Sequence, residues 1–152
     1  MKIIDYLKEE RIVLSLKSHT KIEAIKELAT LLKDAEEITN FDVFLQDVYE
    51  RENLGSTGIG NGIAIPHARS EAVKDFVIAF GRSVEGVDFN SLDGQPVKLI
   101  FLMGTHREKK LNSYLEILAH LTRLLKQQFF REALLKAPTP SAIIEEFKKI
   151  EG

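Results

Sequence analysis

Apolar residues recur at steps of three and four in two segments of the first third of the chain. The first covers residues 20–33, where Thr20 and Glu23 have the spacing of a helix capping box. The second follows Asn40, a residue type that caps helix N-termini, and ends at about Glu52, before a glycine. The pattern predicts two amphipathic helices.

Three short runs rich in β-branched and aromatic residues predict strands over residues 63–66, 75–81 and 97–103. Turn-forming residues bound each run. The two longer runs are apolar nearly throughout instead of alternating with polar residues. This pattern is typical of strands that helices cover on both faces, so we expect an open sheet between helical layers.

Helical spacing returns in the last third of the chain and predicts helices over residues 111–126, 127–136 and 140–150. Ser113 and Glu116 form a second capping-box pattern in the first of these segments. Thr139 is the expected N-cap of the last segment, with Pro140 at its first helical position. The predicted fold class is α/β, a three-layer α-β-α arrangement.

Length and composition limit the function classes that need to be considered. The 152 residues are expected to form a single domain over 1–152. With 21 basic and 23 acidic side chains the net charge is −2, which predicts no nucleic-acid partner. No leader-like N-terminus and no run of about 18 apolar residues occurs, so no membrane insertion is expected. The absence of cysteine excludes a thiolate site and favours a cytoplasmic location.

A glycine-rich segment, "STGIGNGIAIPHARSEA" over residues 56–72, contains the most distinctive chemistry of the chain. Its glycines either form a cradle of backbone N–H groups for a phosphate or simply permit tight turns between a helix and a strand. The nucleotide-binding motifs are incomplete, because Asn61-Gly62 stands where a P-loop has its lysine and Ile63 stands at the third glycine of a dinucleotide fingerprint. ATP and NAD sites are therefore disfavoured.

His67 lies just after an apolar run and Pro66, which is expected to end the strand and present the imidazole at the strand's end. A lone histidine in such a place can also be a packed structural residue. Arg51, Ser56, Thr57 and Arg69 lie near it in sequence. A neutral imidazole can attack phosphorus, and guanidinium, hydroxyl and backbone N–H groups can stabilise the phosphoryl oxygens.

The segment "RENLGSTGIGNGIAIPHAR", residues 51–69, resembles the phosphorylation-site signature of fructose/mannitol-type EIIA domains of the bacterial phosphoenolpyruvate:sugar phosphotransferase system, a family that includes nitrogen-regulatory EIIA proteins. The resemblance continues through "GVDFNSLDGQPVKLIFLM" (86–103) and "YLEILAHLTRLL" (114–125). It implies that family's fold, in which a mixed β-sheet is sandwiched between helices.

The resemblance also implies roles for individual residues. His67 corresponds to the histidine that accepts a phosphoryl group from phospho-HPr, at the tele nitrogen, and passes it to an EIIB domain. Arg51 falls on an arginine that supports the phosphohistidine, and Ser56, Thr57 and Arg69 are expected to stabilise the phosphoryl group. The family needs no metal or other cofactor, and the histidines of this chain form no zinc-binding spacing.

Tyr114 departs from the family pattern, which commonly has a second histidine at this place, close to the active imidazole. A tyrosine hydroxyl can donate a hydrogen bond to a phosphoryl oxygen but carries no positive charge at neutral pH. The departure predicts that transfer is slower, redirected or lost. His106 and His120 are expected to be solvated residues without a role at the site.

Two functions follow from these observations. In the first, the protein is a phosphocarrier for sugar uptake, and the sugar is selected by EIIB and EIIC parts. In the second, it is a regulatory module whose binding to target proteins depends on the phosphorylation of His67, which adds about −1.5 to −2 charges. The lack of an EIIB or EIIC segment within residues 1–152 and the presence of Tyr114 favour the second.

Overall fold

A six-stranded mixed sheet forms the middle layer of the structure, a computed structural model that describes residues 1–152. Its strands are β1 (Ile12–Val13), β2 (Gly58–Gly60), β3 (Ile63–Ala64), β4 (His67–Ser70), β5 (Val77–Val87) and β6 (Val97–His106). The order is β1-β5-β6-β3-β2, and β4 pairs with β6 alongside β3. The central β5 and β6 are antiparallel, whereas β1 is parallel to β5, and β3 and β4 are parallel to β6. The mixed sheet is confirmed.

Five helices pack on this sheet: α1 (Lys21–Thr30), α2 (Phe41–Leu54), α3 (Leu111–Leu125), α4 (Gln128–Lys136) and α5 (Pro140–Glu151). Thr20, Asn40 and Thr139 accept backbone hydrogen bonds as N-caps of α1, α2 and α5, at 3.3, 3.2 and 3.0 Å. These three predicted caps are confirmed, because capping depends on local sequence.

The capping box predicted at Ser113 is wrong. Helix α3 begins two residues earlier, at Leu111, after Lys110 in the left-handed conformation with a φ of 57°, and no side chain caps it. The β6–α3 loop therefore sets the start of this helix.

Two buried apolar clusters lie on opposite faces of the sheet. Side chains alternate along β6, with Leu99, Phe101 and Met103 in the cluster that contacts α3, α4 and α5. Ile100 and Leu102 belong to the cluster beneath α1 and α2. Both faces of the strand are covered, which explains its continuous apolar sequence and confirms the three-layer prediction. None of the helices combines the length and the apolar composition that spanning a bilayer requires.

The break between β3 and β4 sets the position of His67. Ile63 pairs with Leu99 and His67 pairs with Met103, so β4 continues the line of β3 along β6 without a change of register. Pro66 lies in the gap, where its carbonyl oxygen accepts the N–H of Met103 at 3.0 Å. Strand β3 ends before Pro66, as expected, but His67 is also the first residue of a further strand, β4, which the sequence did not predict.

Candidate functional site

His67 opens into a surface cleft between the C-terminal half of α2, the strand β4 and the start of α3. The cleft has a volume of about 340 Å³. Its other charged and aromatic lining residues are Arg51, Arg69, Arg107, Asp47, Glu50 and Tyr114. Three guanidinium groups against two carboxylates give the cleft a positive balance, which suits a multiply charged anion.

The half-buried imidazole of His67 is oriented by the main chain. Its Nδ1 atom lies 2.8 Å from the carbonyl oxygen of Ile65, which can only accept a hydrogen bond. Nδ1 therefore carries the proton in the neutral ring, and Nε2 keeps its lone pair. Burial lowers the pKa of His67 from its usual value, and the charge of Arg51 lowers it further against the opposing effects of Ile65 and Glu52. The neutral, nucleophilic form is favoured.

Arg51 and Arg69 line the cleft from α2 and β4. Nη1 of Arg51 donates to the carbonyl oxygen of Gly55 at 2.9 Å, which closes the C-terminus of α2. Nη2 of Arg69 donates to the carbonyl oxygen of Arg107. Each guanidinium has five N–H donors, so donors remain on both side chains for an anion in the cleft.

Tyr114 lies on the first turns of α3 and packs beside His67, with 6.0 Å between the ring centroids. The side chain is only 3% exposed, and its hydroxyl has no hydrogen-bond partner. Burial raises the pKa of Tyr114 well above its usual value, although Arg51 and Arg69 act in the opposite direction. The hydroxyl therefore stays protonated, and it is a hydrogen-bond donor without a partner on a residue that lines the cleft.

The side chains of Ser56 and Thr57 do not line the cleft. Ser56 Oγ donates to the carbonyl oxygen of Phe89 and accepts the N–H of Gly58 at 3.0 Å. Thr57 is buried, and both its Oγ1 and its backbone N–H donate to the carboxylate of Glu52, at 2.6 and 2.9 Å. These two residues hold the loop that precedes β2.

The glycine-rich segment forms a β2–β3 hairpin rather than the wall of the cleft. Gly62 has a φ of 75°, a conformation that glycine adopts without strain. At Gly58 an added Cβ would lie 2.3 Å from Ser91 Oγ, so the chain approaches too closely for a side chain. Of the two interpretations of these glycines, the geometry favours the turn-forming one.

Sequence reasoning missed three residues around the cleft. Glu52 is buried, and its carboxylate also lies 3.3 Å from Lys21 Nζ. Asp47 and Arg107 line the cleft together, yet they lie 60 positions apart on different elements. Neither local periodicity nor a motif identifies such partners, and the only signal for Glu52 was its position next to Arg51 before the glycine segment.

His106 and His120 are the two histidines that were expected to be solvated and to have no role at the site. His120 is not solvated as predicted: its side chain is 25% exposed, and Nε2 lies 2.6 Å from the buried carboxylate of Glu151. His106 is the last residue of β6, where its Nδ1 accepts the N–H of Glu108 at 3.1 Å. Neither lines the cleft of His67. No group of three or more potential metal ligands occurs in the structure.

Sequence comparison places these features in a known context. The family model described as "Phosphoenolpyruvate-dependent sugar phosphotransferase system, EIIA 2" matches residues 5–150. The fructose-specific EIIABC component of Bacillus subtilis is 41% identical over 95% of this chain, which spans 23% of the length of that relative. A nitrogen regulatory protein of Bradyrhizobium diazoefficiens is 36% identical over 94% of this chain and 92% of its own length.

Structural comparison gives the same family. The crystal structure of nitrogen regulatory protein IIA-Ntr from Neisseria meningitidis superposes with a TM-score of 0.89 at 33% identity. The match covers 95% of this chain and 98% of that one. The predicted EIIA fructose/mannitol-type fold is confirmed.

Proposed function

We propose that this chain, which belongs to the EIIA 2 family of the phosphoenolpyruvate-dependent sugar phosphotransferase system, is a phosphocarrier. The residue that carries the phosphoryl group is His67. The single observation that carries the proposal is the hydrogen bond of Nδ1 to the carbonyl oxygen of Ile65, which leaves the lone pair of Nε2 free. The proposed donor is a phospho-HPr-like protein, and the proposed acceptor is an EIIB domain.

The transfer itself requires no base. The Nε2 lone pair forms a bond to phosphorus while the bond from phosphorus to the donor atom breaks, and that electron pair returns to the donor. The proton on Nδ1 stays in place and keeps its hydrogen bond to Ile65. In the second step the acceptor attacks phosphorus, and Nε2 recovers its electron pair. Since each step only moves the phosphoryl group, positioning and charge stabilisation supply the catalysis.

The positive lining of the cleft supplies that stabilisation. Arg51 on α2 and Arg69 on β4 both line the cleft and donate charge-assisted hydrogen bonds to the phosphoryl oxygens. Tyr114 adds a neutral donor from α3. Ser56 and Thr57 act indirectly, by holding the loop after Arg51 through Phe89 and Glu52.

The test is phosphorylation in vitro with phosphoenolpyruvate, enzyme I and HPr. We expect an acid-labile adduct in the unaltered protein and its loss in His67→Ala. A variant at an exposed histidine outside the cleft, His19→Ala, is the matched control and should be phosphorylated normally. The absence of an adduct in the unaltered protein would refute the proposal.

The likeness to nitrogen regulatory proteins over nearly the whole chain favours a second candidate function. In this role the phosphorylation state of His67 governs docking on a target protein. Phosphorylation would add about −1.5 to −2 charges to the cleft, which reverses its local charge balance and alters the binding of charged partners.

Affinity purification distinguishes this role from transport. Partners recovered with the phosphorylated protein should differ from those recovered with His67→Ala, which cannot be phosphorylated at this position. Identical partners for both would contradict regulation. A neighbouring EIIB/EIIC gene favours sugar transport, whereas a neighbouring sigma-factor or kinase gene favours regulation.

A further inference from the structure

Arg107 is the one arginine of the cleft whose guanidinium makes no hydrogen bond. Its side chain is 52% exposed, and Nη2 lies 3.8 Å from Asp47 Oδ2. At that distance the pair is held by charge attraction alone. The guanidinium groups of Arg51 and Arg69 each already donate to a main-chain carbonyl oxygen. Arg107 therefore has the largest unused capacity to bind an anion.

The carboxylate of Asp47 has a hydrogen-bond partner other than Arg107. Its side chain is 16% exposed, and Oδ2 accepts a hydrogen bond from Ser70 Oγ at 2.6 Å. The carboxylate would keep this partner and its contact with water if the guanidinium moved away. The separation costs little, because the Arg107 guanidinium is half exposed and lies beyond hydrogen-bond distance from Asp47.

The main chain of Arg107 is fixed beside the site while its side chain is free. Ser70 pairs with His106 at the end of β4, so Arg107 is the next residue beyond the ladder. Its carbonyl oxygen accepts the hydrogen bond from Arg69, which follows His67 by two positions on the same strand. Because Arg107 already lines the cleft, the proposal requires a change of its side-chain rotamer and no movement of the loop.

A phosphoryl group on His67 competes strongly with Asp47 for this guanidinium. It carries about −1.5 to −2 charges and three acceptor oxygens, against one charge on the carboxylate. Guanidinium and phosphate also match as a bidentate pair. Tyr114 cannot balance this charge, because its buried hydroxyl remains neutral.

Resting on the proposed phosphorylation of His67, we infer that Arg107 is a phosphoryl-binding residue. Its guanidinium leaves Asp47 when the phosphoryl group reaches Nε2 and donates to the phosphoryl oxygens. Asp47 is then the resting partner that holds Arg107 at the cleft while His67 is unphosphorylated. Arg107 thus adds a third cation to those of Arg51 and Arg69.

The experiment compares Arg107→Gln with Lys109→Gln, which removes the same charge from an exposed position of the same loop that does not line the cleft. Both proteins and Arg107→Lys are phosphorylated by phosphoenolpyruvate, enzyme I and HPr. The rate of phosphorylation is measured, and the phosphoryl group is titrated by ³¹P NMR.

We expect Arg107→Gln to be phosphorylated about tenfold more slowly, since a charge-assisted hydrogen bond is lost. Loss of the cation should also raise the titration midpoint of the phosphoryl group. Lys109→Gln should remain within about twofold of the unaltered protein, and Arg107→Lys should recover part of the rate.

Each opposite outcome has a distinct meaning. If the unaltered protein is phosphorylated and Arg107→Gln matches it in rate and midpoint, Arg107 does not bind the phosphoryl group. If Lys109→Gln is phosphorylated as slowly as Arg107→Gln, a general charge effect explains the slower rate, and the inference fails. If the unaltered protein is not phosphorylated at all, the proposed function fails first.

Discussion

The Nδ1 atom of His67 lies 2.8 Å from the carbonyl oxygen of Ile65, two residues earlier in the same chain. The hydrogen bond bridges the gap between β3 and β4, where Pro66 interrupts the ladder. A break in the sheet thus selects the tautomer of the ring and exposes Nε2 to the cleft.

Two properties of His67 should be visible by NMR. Long-range ¹H–¹⁵N spectra should report a proton on Nδ1 in the neutral ring, and the titration should give a pKa below the usual value of about 6.5. The lowered pKa follows chiefly from burial, because a charged imidazolium is poorly solvated there. A proton on Nε2, or a pKa above the usual value, would contradict the proposed nucleophile.

The same shift predicts how stability depends on pH. The unfolded protein binds a proton at His67 more readily than the folded one, so the free energy of unfolding rises with pH across the interval below about 6.5. Above that value the contribution is fully present, and acidification removes it. Urea unfolding at several pH values should therefore show a steeper acid loss for the unaltered protein than for His67→Gln, which cannot titrate. Parallel curves would count against the lowered pKa.

Thr57 should matter for stability through Glu52 rather than through direct contact with the phosphoryl group. Thr57→Val removes the 2.6 Å hydrogen bond to a buried carboxylate. We expect the free energy of unfolding to fall by about 1–3 kcal/mol, because the carboxylate loses a donor it cannot replace with water. Urea denaturation measures the change, and Thr57→Ser, which keeps the hydroxyl, is the control. An equal loss in both variants would point to packing as the cause.

Helices and the covered strands could be predicted because their signals are local. Caps such as Thr20 and Asn40 act within one turn, and the continuous apolar run of β6 reflects burial on both faces. Strand β4 was missed, since four residues beginning with His67 carry no period of their own. Their pairing with β6 is a tertiary effect.

The composition of the site could be predicted only in part. The motif identifies His67 and Arg51, because both lie in one short segment. It also suggests Ser56 and Thr57, whose side chains turn out to point to Phe89 and Glu52 instead of the cleft. Sequence proximity reports which residues share a loop but not the direction of their side chains.

Glu151 joins the two ends of the chain, a contact between residues 148 positions apart that no local pattern reveals. Its carboxylate accepts the backbone N–H groups of Ile3 at 2.7 Å and Ile4 at 3.1 Å, and it also contacts His120. Glu151→Gln would turn an amide NH₂ group toward one of these donors. We expect a loss of about 1–3 kcal/mol in the free energy of unfolding, measured by urea denaturation.

The matched control is Glu145→Gln on the exposed face of the same helix, where Glu145 pairs with Lys148 at 3.3 Å. This exposed pair should contribute less than about 0.5 kcal/mol. Similar losses for Glu145→Gln and Glu151→Gln would mean that the contact between the chain ends adds nothing beyond an ordinary surface charge.

Substitutions of Tyr114 can separate an effect on the free energy of unfolding from an effect on the rate of phosphorylation. Its buried hydroxyl has no partner in the unphosphorylated protein, so Tyr114→Phe should leave the free energy of unfolding unchanged or raise it by up to about 1 kcal/mol. The same variant should be phosphorylated several-fold more slowly, because the hydroxyl's donor is then missing from the phosphoryl oxygens of His67. Tyr114→His should be phosphorylated faster than the unaltered protein, since a protonated imidazole beside the phosphoryl group adds positive charge. The rate of phosphorylation by phospho-HPr is measured for all three proteins. Equal rates for the unaltered protein and Tyr114→Phe would exclude the hydroxyl from the transfer.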